Sequence, residues 1–316
     1  MTEPLINSSF SATIPGLQIA WDSTSMGAFK ECPRRYYYSI VCGWVPREES
    51  VHITFGLHYH GALERYDHSR ARGAPHEDAC MEAVRYAMQV TWDRKRNRPW
   101  LSDDPNKNRW TLVRSVVWYL EEFRNDPLQT VILSNGKPAV ELSFRMELDY
   151  KAPDGQHFMM CGHMDRLVTF QDEVYIQDRK TTKSTLSRHF FDKFTPNNQF
   201  STYIFASHTA LAQPAAGLIV DAAQIAVTFS RFERGPPIIR PQETLQEWYT
   251  DLGIYLGSAQ MFAQMRYWPQ NDKSCDSYGG CPYRMVCSKA PVTREKWLAG
   301  TFQQRIWDPL LIRGDI

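Results

Sequence analysis

Near residue 139 the chain changes its hydrophobic period from helical to alternating, and that change limits what it can fold into. In AVELSFRMELDY, residues 139–150, Val140, Leu142, Phe144, Met146, Leu148 and Tyr150 alternate with Glu141, Ser143, Arg145, Glu147 and Asp149. Alternation of this kind marks a half-buried strand. A Pro-Asp-Gly turn leads into HFMMCGHMDRLVTF, and Gln171-Asp172-Glu173 turns the chain back through VYIQDRK. Three strands in meander order follow from this pattern. On either side the spacing is helical. Candidate helices cover 25–39, introduced by Ser23 or Ser25 as cap, then 55–70, 76–91, 109–123 and 197–211, the last stopped by Pro214. AAGLIVDAAQIAVTFSRF supplies one or two more strands, and an amphipathic helix spans 242–266 with Leu245, Trp248, Leu252, Tyr255, Leu256, Ala259 and Phe262 on its stripe. Helices at both ends of a strand-rich middle predict one α/β (α+β) domain over 1–316, with a helical part at 20–125, a core at 139–230 and a C-terminal part at 242–290.

Composition narrows the function. Hydrophobic residues make up 43% and charged residues 22%, as in an ordinary globular protein. No apolar run reaches the length of a membrane span. The start, MTEPLINSSFSATIPG, has neither a basic head nor a long apolar segment, so no signal peptide is expected. Net charge is +1, which means that any contact with nucleic acid must come from a local patch. There is no G-x4-GK[ST] phosphate loop and no G-x-S-x-G elbow, so the chain carries neither a nucleotide-driven motor nor that hydrolase nucleophile.

The second and third strands carry the chemistry. In VYIQDRK, alternation puts Val174, Ile176, Asp178 and Lys180 on one face and Tyr175, Gln177 and Arg179 on the other. Asp165, in the preceding strand, falls opposite the neighbourhood of Asp178 across a hairpin spacing of roughly 5 Å. Carboxylates aimed at one place repel unless a cation sits there, and Mg²⁺ or Mn²⁺ suits oxygen ligands. Lys180 beside such an ion fits phosphodiester hydrolysis. The same spacing also occurs on solvated strand faces, so its companions matter. His60, in FGLHYHGALE, shares a helix side with Glu64 and can complete a divalent-metal site. Gln199 and Tyr203, also four apart, either satisfy a polar core or hold a phosphate near the metal.

Seven cysteines without a secretion signal argue against a disulfide framework. Cys275, Cys281 and Cys287 lie close together and suggest a metal, and Cys32, in another Cys-Pro pair, is the candidate fourth ligand. Cys42, Cys80 and Cys161 read as buried thiols. In DRKRNR, Arg94, Lys95, Arg96 and Arg98 sit near Trp92 and Trp100. Charge beside rings is how single-stranded nucleic acid is held, although a solvated loop with inward tryptophans reads the same way. Lys183 and Arg188, just past the Lys180 strand, are further candidates for backbone contacts.

Taken in order, Gly56-x3-His60-x3-Glu64, Asp165, Asp178-x-Lys180 and Gln199-x3-Tyr203 resemble the motifs of the PD-(D/E)xK nuclease superfamily, in its RecB-like exonuclease branch. The resemblance implies a restriction-endonuclease-like core, a central mixed sheet flanked by helices. It implies His60, Asp165 and Asp178 as ligands of Mg²⁺ or Mn²⁺, Lys180 in catalysis, and Gln199 and Tyr203 beside the active site. It further implies DNA as substrate, single-stranded or with a free end, a cytoplasmic setting in recombination, repair or phage DNA processing, and a possible helicase or recombination partner. The cysteine layout is similar to the [4Fe-4S] arrangement of that branch, although five residues separate Cys275 from Cys281 where two are usual, which keeps structural Zn²⁺ as the alternative. The competing readings are a non-catalytic nucleic-acid-binding protein that keeps the fold and a site-specific endonuclease.

Overall fold

The computed structural model describes residues 9–48, 50–211 and 214–311. The first eight residues, on which the expectation about a signal segment partly rests, lie outside them. The chain forms two compact units, one of Met1–Glu48, Ser143–Gly162 and Pro241–Ile316, the other of Glu49–Leu142 and His163–Arg240.

The second unit is built on a mixed sheet. The hairpin of His157–Phe170 and Glu173–Thr182 is antiparallel, with Arg166 opposite Gln177 and Phe170 opposite Glu173. Its loop is two residues, Gln171 and Asp172, rather than the three expected, and both have positive φ (49° and 66°). That is the type I′ geometry whose twist matches a tight hairpin. Gly217–Ile225 runs parallel to the outgoing strand, with Asp178 beside Val220, and Ser230–Arg234 closes the edge antiparallel. Helices cover both faces. Tyr119, on the helix Arg109–Glu122, reaches Arg179, whereas Gln199, on the helix Asn198–Ala210, reaches Lys180, and adjacent strand residues point to opposite sides. The helices Val51–Ala71 and His76–Val90 pack with Arg109–Glu122 and the Gly217–Ile225 strand around Phe55, Tyr59, Leu63, Leu112 and Val116. Gly61 permits this close approach, since a Cβ there would collide with the Tyr86 ring.

The other unit holds the segments nearest the two ends of the chain. The expected helix over 25–39 is broken. Ser23–Glu31 ends at Cys32, whose backbone is extended (φ −160°, ψ 111°), and Pro33 starts a new short helix. The cause is local: the residue before a proline is pushed out of the helical region. The cap is Asp22, in a reciprocal box with Ser25, rather than Ser23 or Ser25 acting alone. Trp21 stacks on Tyr36, with Phe29 edge-on to both. The helix Gln242–Met265 buries Leu245, Trp248, Leu252, Leu256 and Ala259, close to the expected stripe. Among the described residues, no helix is long and apolar enough to cross a membrane.

Candidate active site

The hairpin register brings the two acids together. Continuing the ladder one step past Arg166–Gln177 sets Asp165 opposite Asp178. There the strands part, and Asp165 Oδ2 accepts the Arg179 backbone N–H at 2.9 Å. His60 Nδ1, from the helix Val51–Ala71, lies 3.1 Å from the same oxygen. Asp178 is 1% exposed and turns both oxygens toward Lys180 Nζ, at 3.0 and 2.9 Å, although only Oδ1 accepts a hydrogen bond. Lys180 also donates to Gln199 Oε1 at 3.2 Å, and Gln199 Nε2 donates to Tyr203 Oη at 2.8 Å. Lysine has only donors to offer, so the glutamine must present its oxygen to Lys180 and its amide hydrogens to the tyrosine. All six residues singled out for chemistry therefore meet in one place. Glu64 faces His68 instead, at 3.9 Å, and His58 lies edge-on to Trp100.

The electrostatics follow from burying two acids beside one lysine. Burial alone would raise Asp165, but His60, Lys180 and the Arg179 amide outweigh it and hold the carboxyl well below its usual range. Asp178 is pushed up to about 6, by burial first and by Asp165 next, against the pull of Lys180. For Lys180, burial lowers the pKa, but Asp178 and Asp165 more than offset it, and the net shift is upward. His60 behaves alike, with the Asp165 carboxylate overcoming desolvation to raise it.

One acid escaped the sequence reading. Glu141 falls on the solvent side of a regular alternation, yet its φ is +49°, which interrupts the strand Val140–Lys151 at its second residue. A non-glycine residue in that region is uncommon and often marks a functional position. Glu141, His60 and Asp165 each offer a ligand atom within 4.8 Å of the others, which makes them a possible metal site with Asp178 outside that tight set. The signal lies in the backbone and not in the residue pattern.

A second omission stands behind the acids. Arg166 and Arg179 both bind the buried Asp67, at 2.9 and 2.5 Å. Arg179 also donates to Tyr119 Oη, which donates to Asp221 Oδ2 at 2.7 Å. The sequence carries a trace of this, since each acid of the pair is followed by arginine and Asp67 stands seven residues, or two helical turns, after His60.

The remaining candidates are placed as follows. Arg94, Lys95, Arg96 and Arg98 are exposed on a small hairpin between Trp92 and Pro99, with the Lys95 and Arg96 amides tied to Asp93. Trp92 is partly exposed, whereas Trp100 packs against the helical core. Lys183 binds Asp104 at 3.1 Å, and Arg188 is almost fully exposed. In the other unit, Cys32, Cys275, Cys281 and Cys287 line one cavity with Arg35, Asn271 and Tyr283, and Cys32 Sγ accepts the Asn271 N–H at 3.3 Å.

A family model for the PD-(D/E)XK nuclease superfamily matches residues 23–288. Among solved structures, the chain is similar to the crystal structure of SSO0001, at 10% identity and a TM-score of 0.36, over 86% of this chain and 87% of that one. No curated protein matches the sequence.

Proposed function

The chain belongs to the PD-(D/E)XK nuclease superfamily, with a mixed α/β core of the restriction-endonuclease type, and from that premise we propose a Mg²⁺- or Mn²⁺-dependent deoxyribonuclease of the RecB-like branch, acting as an exonuclease on single-stranded or free-ended DNA. The observation that carries this reading is the meeting of His60, Asp165, Asp178, Lys180, Gln199 and Tyr203.

The donor set suits a hard or borderline dication. Three carboxylates, from Glu141, Asp165 and Asp178, gather around one imidazole and one ammonium, and Asp178 Oδ2 accepts no hydrogen bond despite its burial. Lys180 Nζ lies 2.9 Å from that oxygen, but one ammonium does not balance three gathered carboxylates, and a dication would supply the remaining charge. His60, Glu141, Asp165 and Asp178 would hold the ion, which would supply Lewis acidity toward a phosphodiester. Lys180, held protonated by its acidic neighbours, donates hydrogen bonds and stabilises charge developing on the phosphoryl oxygens. Gln199 fixes the Lys180 ammonium, and Tyr203 fixes Gln199. The exposed Arg94, Lys95, Arg96 and Arg98 with Trp92, together with Lys183 and Arg188, offer charge and a stacking surface to an unpaired strand. A cytoplasmic role in recombination, repair or phage DNA processing, beside a helicase or recombination partner, follows from the same branch assignment.

For the four cysteines we favour a [4Fe-4S] cluster over Zn²⁺. Among the described residues, no three of the sulfurs come within 4.8 Å of one another, whereas tetrahedral zinc thiolates stand about 3.8 Å apart. The Asn271 N–H on Cys32 and the neighbouring Arg35 would stabilise thiolate charge.

The test is a time course on end-labelled linear and covalently closed single-stranded DNA, with Mg²⁺ or Mn²⁺ and with chelator. The reading predicts metal-dependent loss of the linear substrate from its end, with closed circles spared. Cutting of circles would make the protein an endonuclease. Binding without cleavage under every metal condition would overturn the enzyme.

A further inference from the structure

Away from the catalytic residues, three metal-type donors converge where the helices His76–Val90 and Arg109–Glu122 meet. His76 Nε2 lies 3.2 Å from Glu121 Oε1 and 3.3 Å from Cys80 Sγ. All three ligand atoms fall within 4.8 Å of one another. The sequence leads one to expect an ordinary buried thiol at Cys80, but it is partly exposed and turned onto an imidazole four residues away on its own helix. His76 is 6% exposed, and its other nitrogen, Nδ1, is engaged by Tyr66 Oη at 2.9 Å.

We propose that His76, Cys80 and Glu121 form a zinc site that clamps these two helices, with the fourth position left to water. The donor mixture is the first argument. Nitrogen, sulfur and one carboxylate oxygen together suit Zn²⁺, whereas Mg²⁺ requires oxygen. Spacing is the second. Bond lengths of about 2.0–2.3 Å around a tetrahedral zinc place ligand atoms about 3.3–3.8 Å apart, and the two contacts to His76 Nε2 are already within a few tenths of an ångström of that. The third is the support around the donors. Tyr66 Oη can accept from Nδ1–H, which is the tautomer that metal binding would select and that turns the Nε2 lone pair to the thiol and the carboxylate; a partner on the outer ring nitrogen is the usual means of fixing a metal-binding histidine. Glu121 divides its oxygens, Oε1 toward His76 and Oε2 toward Arg124 at 3.7 Å, so one oxygen is held in place for a metal. A simple His76–Glu121 ion pair accounts for only one of these contacts and gives the sulfur no role. Glu121 is 52% exposed at its side chain, which provides a route for the ion and room for a water.

Site-specific alkylation separates this site from every other cysteine. Full-length protein, with and without Zn²⁺, is treated with iodoacetamide, and the Cys80 peptide is quantified by mass spectrometry. Alkaline pH is used because burial holds that thiol at about 11. Zn²⁺ should slow Cys80 alkylation at least about tenfold, and Mg²⁺ should not. Glu121→Gln, at a half-exposed position, should keep the fold and weaken protection, and His76→Asn should abolish it. Asp165→Asn should leave protection unchanged. Equal Cys80 labelling with and without Zn²⁺, or protection that survives both His76→Asn and Glu121→Gln in folded protein, would overturn the site.

Discussion

At the scale of single residues, the site is defined by more negative charge than it can neutralise alone. Lys180 serves two acids at once, and the consequence falls on Asp178, whose carboxyl rises to about 6 while Asp165 is held low. Metal binding requires both carboxylates ionised and His60 neutral. Above pH 6 Asp178 is already ionised. Below it, each metal ion bound must displace a proton from Asp178, and the raised His60 adds a second. Apparent Mn²⁺ affinity should therefore begin to fall by about tenfold per pH unit already above 6, where His60 protonates, and by about a hundredfold per unit below about 6, where Asp178 protonates as well, as isothermal titration across pH 5–7.5 would record. A flat profile would remove Asp178 and His60 from the ligand set. Substitution separates the roles further. Asp165→Asn should nearly abolish turnover. Lys180→Ala should lower the single-turnover rate about 10²–10³-fold with little change in DNA affinity, the cost typical of losing one preorganised donor to developing charge. Glu141→Gln should weaken metal binding more than it weakens DNA binding, because that residue offers a ligand atom beside those of His60 and Asp165. Full cleavage by Lys180→Ala protein would end its catalytic assignment.

At the scale of elements, the helix Val51–Ala71 supports the acids at two points. His60 meets Asp165 from the front, and Asp67, two turns on, binds the arginines that follow each acid. Burial would raise the Asp67 carboxyl, but Arg179 and then Arg166 outweigh it and hold it low. Its stabilising contribution is therefore present above the usual carboxylate range and is lost as pH falls through the lowered value. Asp67→Asn keeps the shape but leaves two buried guanidinium groups without their anion, so denaturant unfolding should register a loss of about 3–5 kcal/mol. A change below about 1 kcal/mol would mean that the pair contributes nothing net. Much of this element level was legible beforehand. The alternation at 139–150 and the amphipathic stripe at 242–266 are strong periodic signals. The hairpin was legible too, but not its register: the expected three-residue turn would set Asp165 opposite Arg179, and the two-residue turn sets it opposite Asp178. The rest was hidden for definite reasons. Glu141 obeys the alternation in sequence and departs from it only in φ, and Asp67 looks like any polar residue on a helix until the arginines that bury it are in place. The break at Cys32–Pro33 was readable in principle, from the proline alone.

At the scale of the whole molecule, the chain places its nuclease residues and its four-cysteine cavity in different compact units. Within its own unit, that cavity gathers Cys32 from near the start of the chain and Cys275, Cys281 and Cys287 from near the end. Sequence proximity accounted for the triplet, but only the extended backbone at Cys32 turns the fourth thiol out of its helix and into the cavity. A group bound there would close a very long loop, and its binding energy would appear as folding energy. Cys32→Ser should therefore lower iron and labile sulfide from roughly four of each per chain to a small fraction. It should also speed proteolysis and hydrogen exchange around Trp21, Phe29 and Tyr36, the aromatic cluster that flanks Cys32. Anaerobic purification followed by metal and sulfide analysis decides between the options. Iron with matching sulfide supports the cluster, and one zinc without iron would replace it and keep the tether. A metal-free wild-type protein with unchanged exchange at those aromatics would defeat both, because four thiols brought together by packing alone need no ligand to hold them.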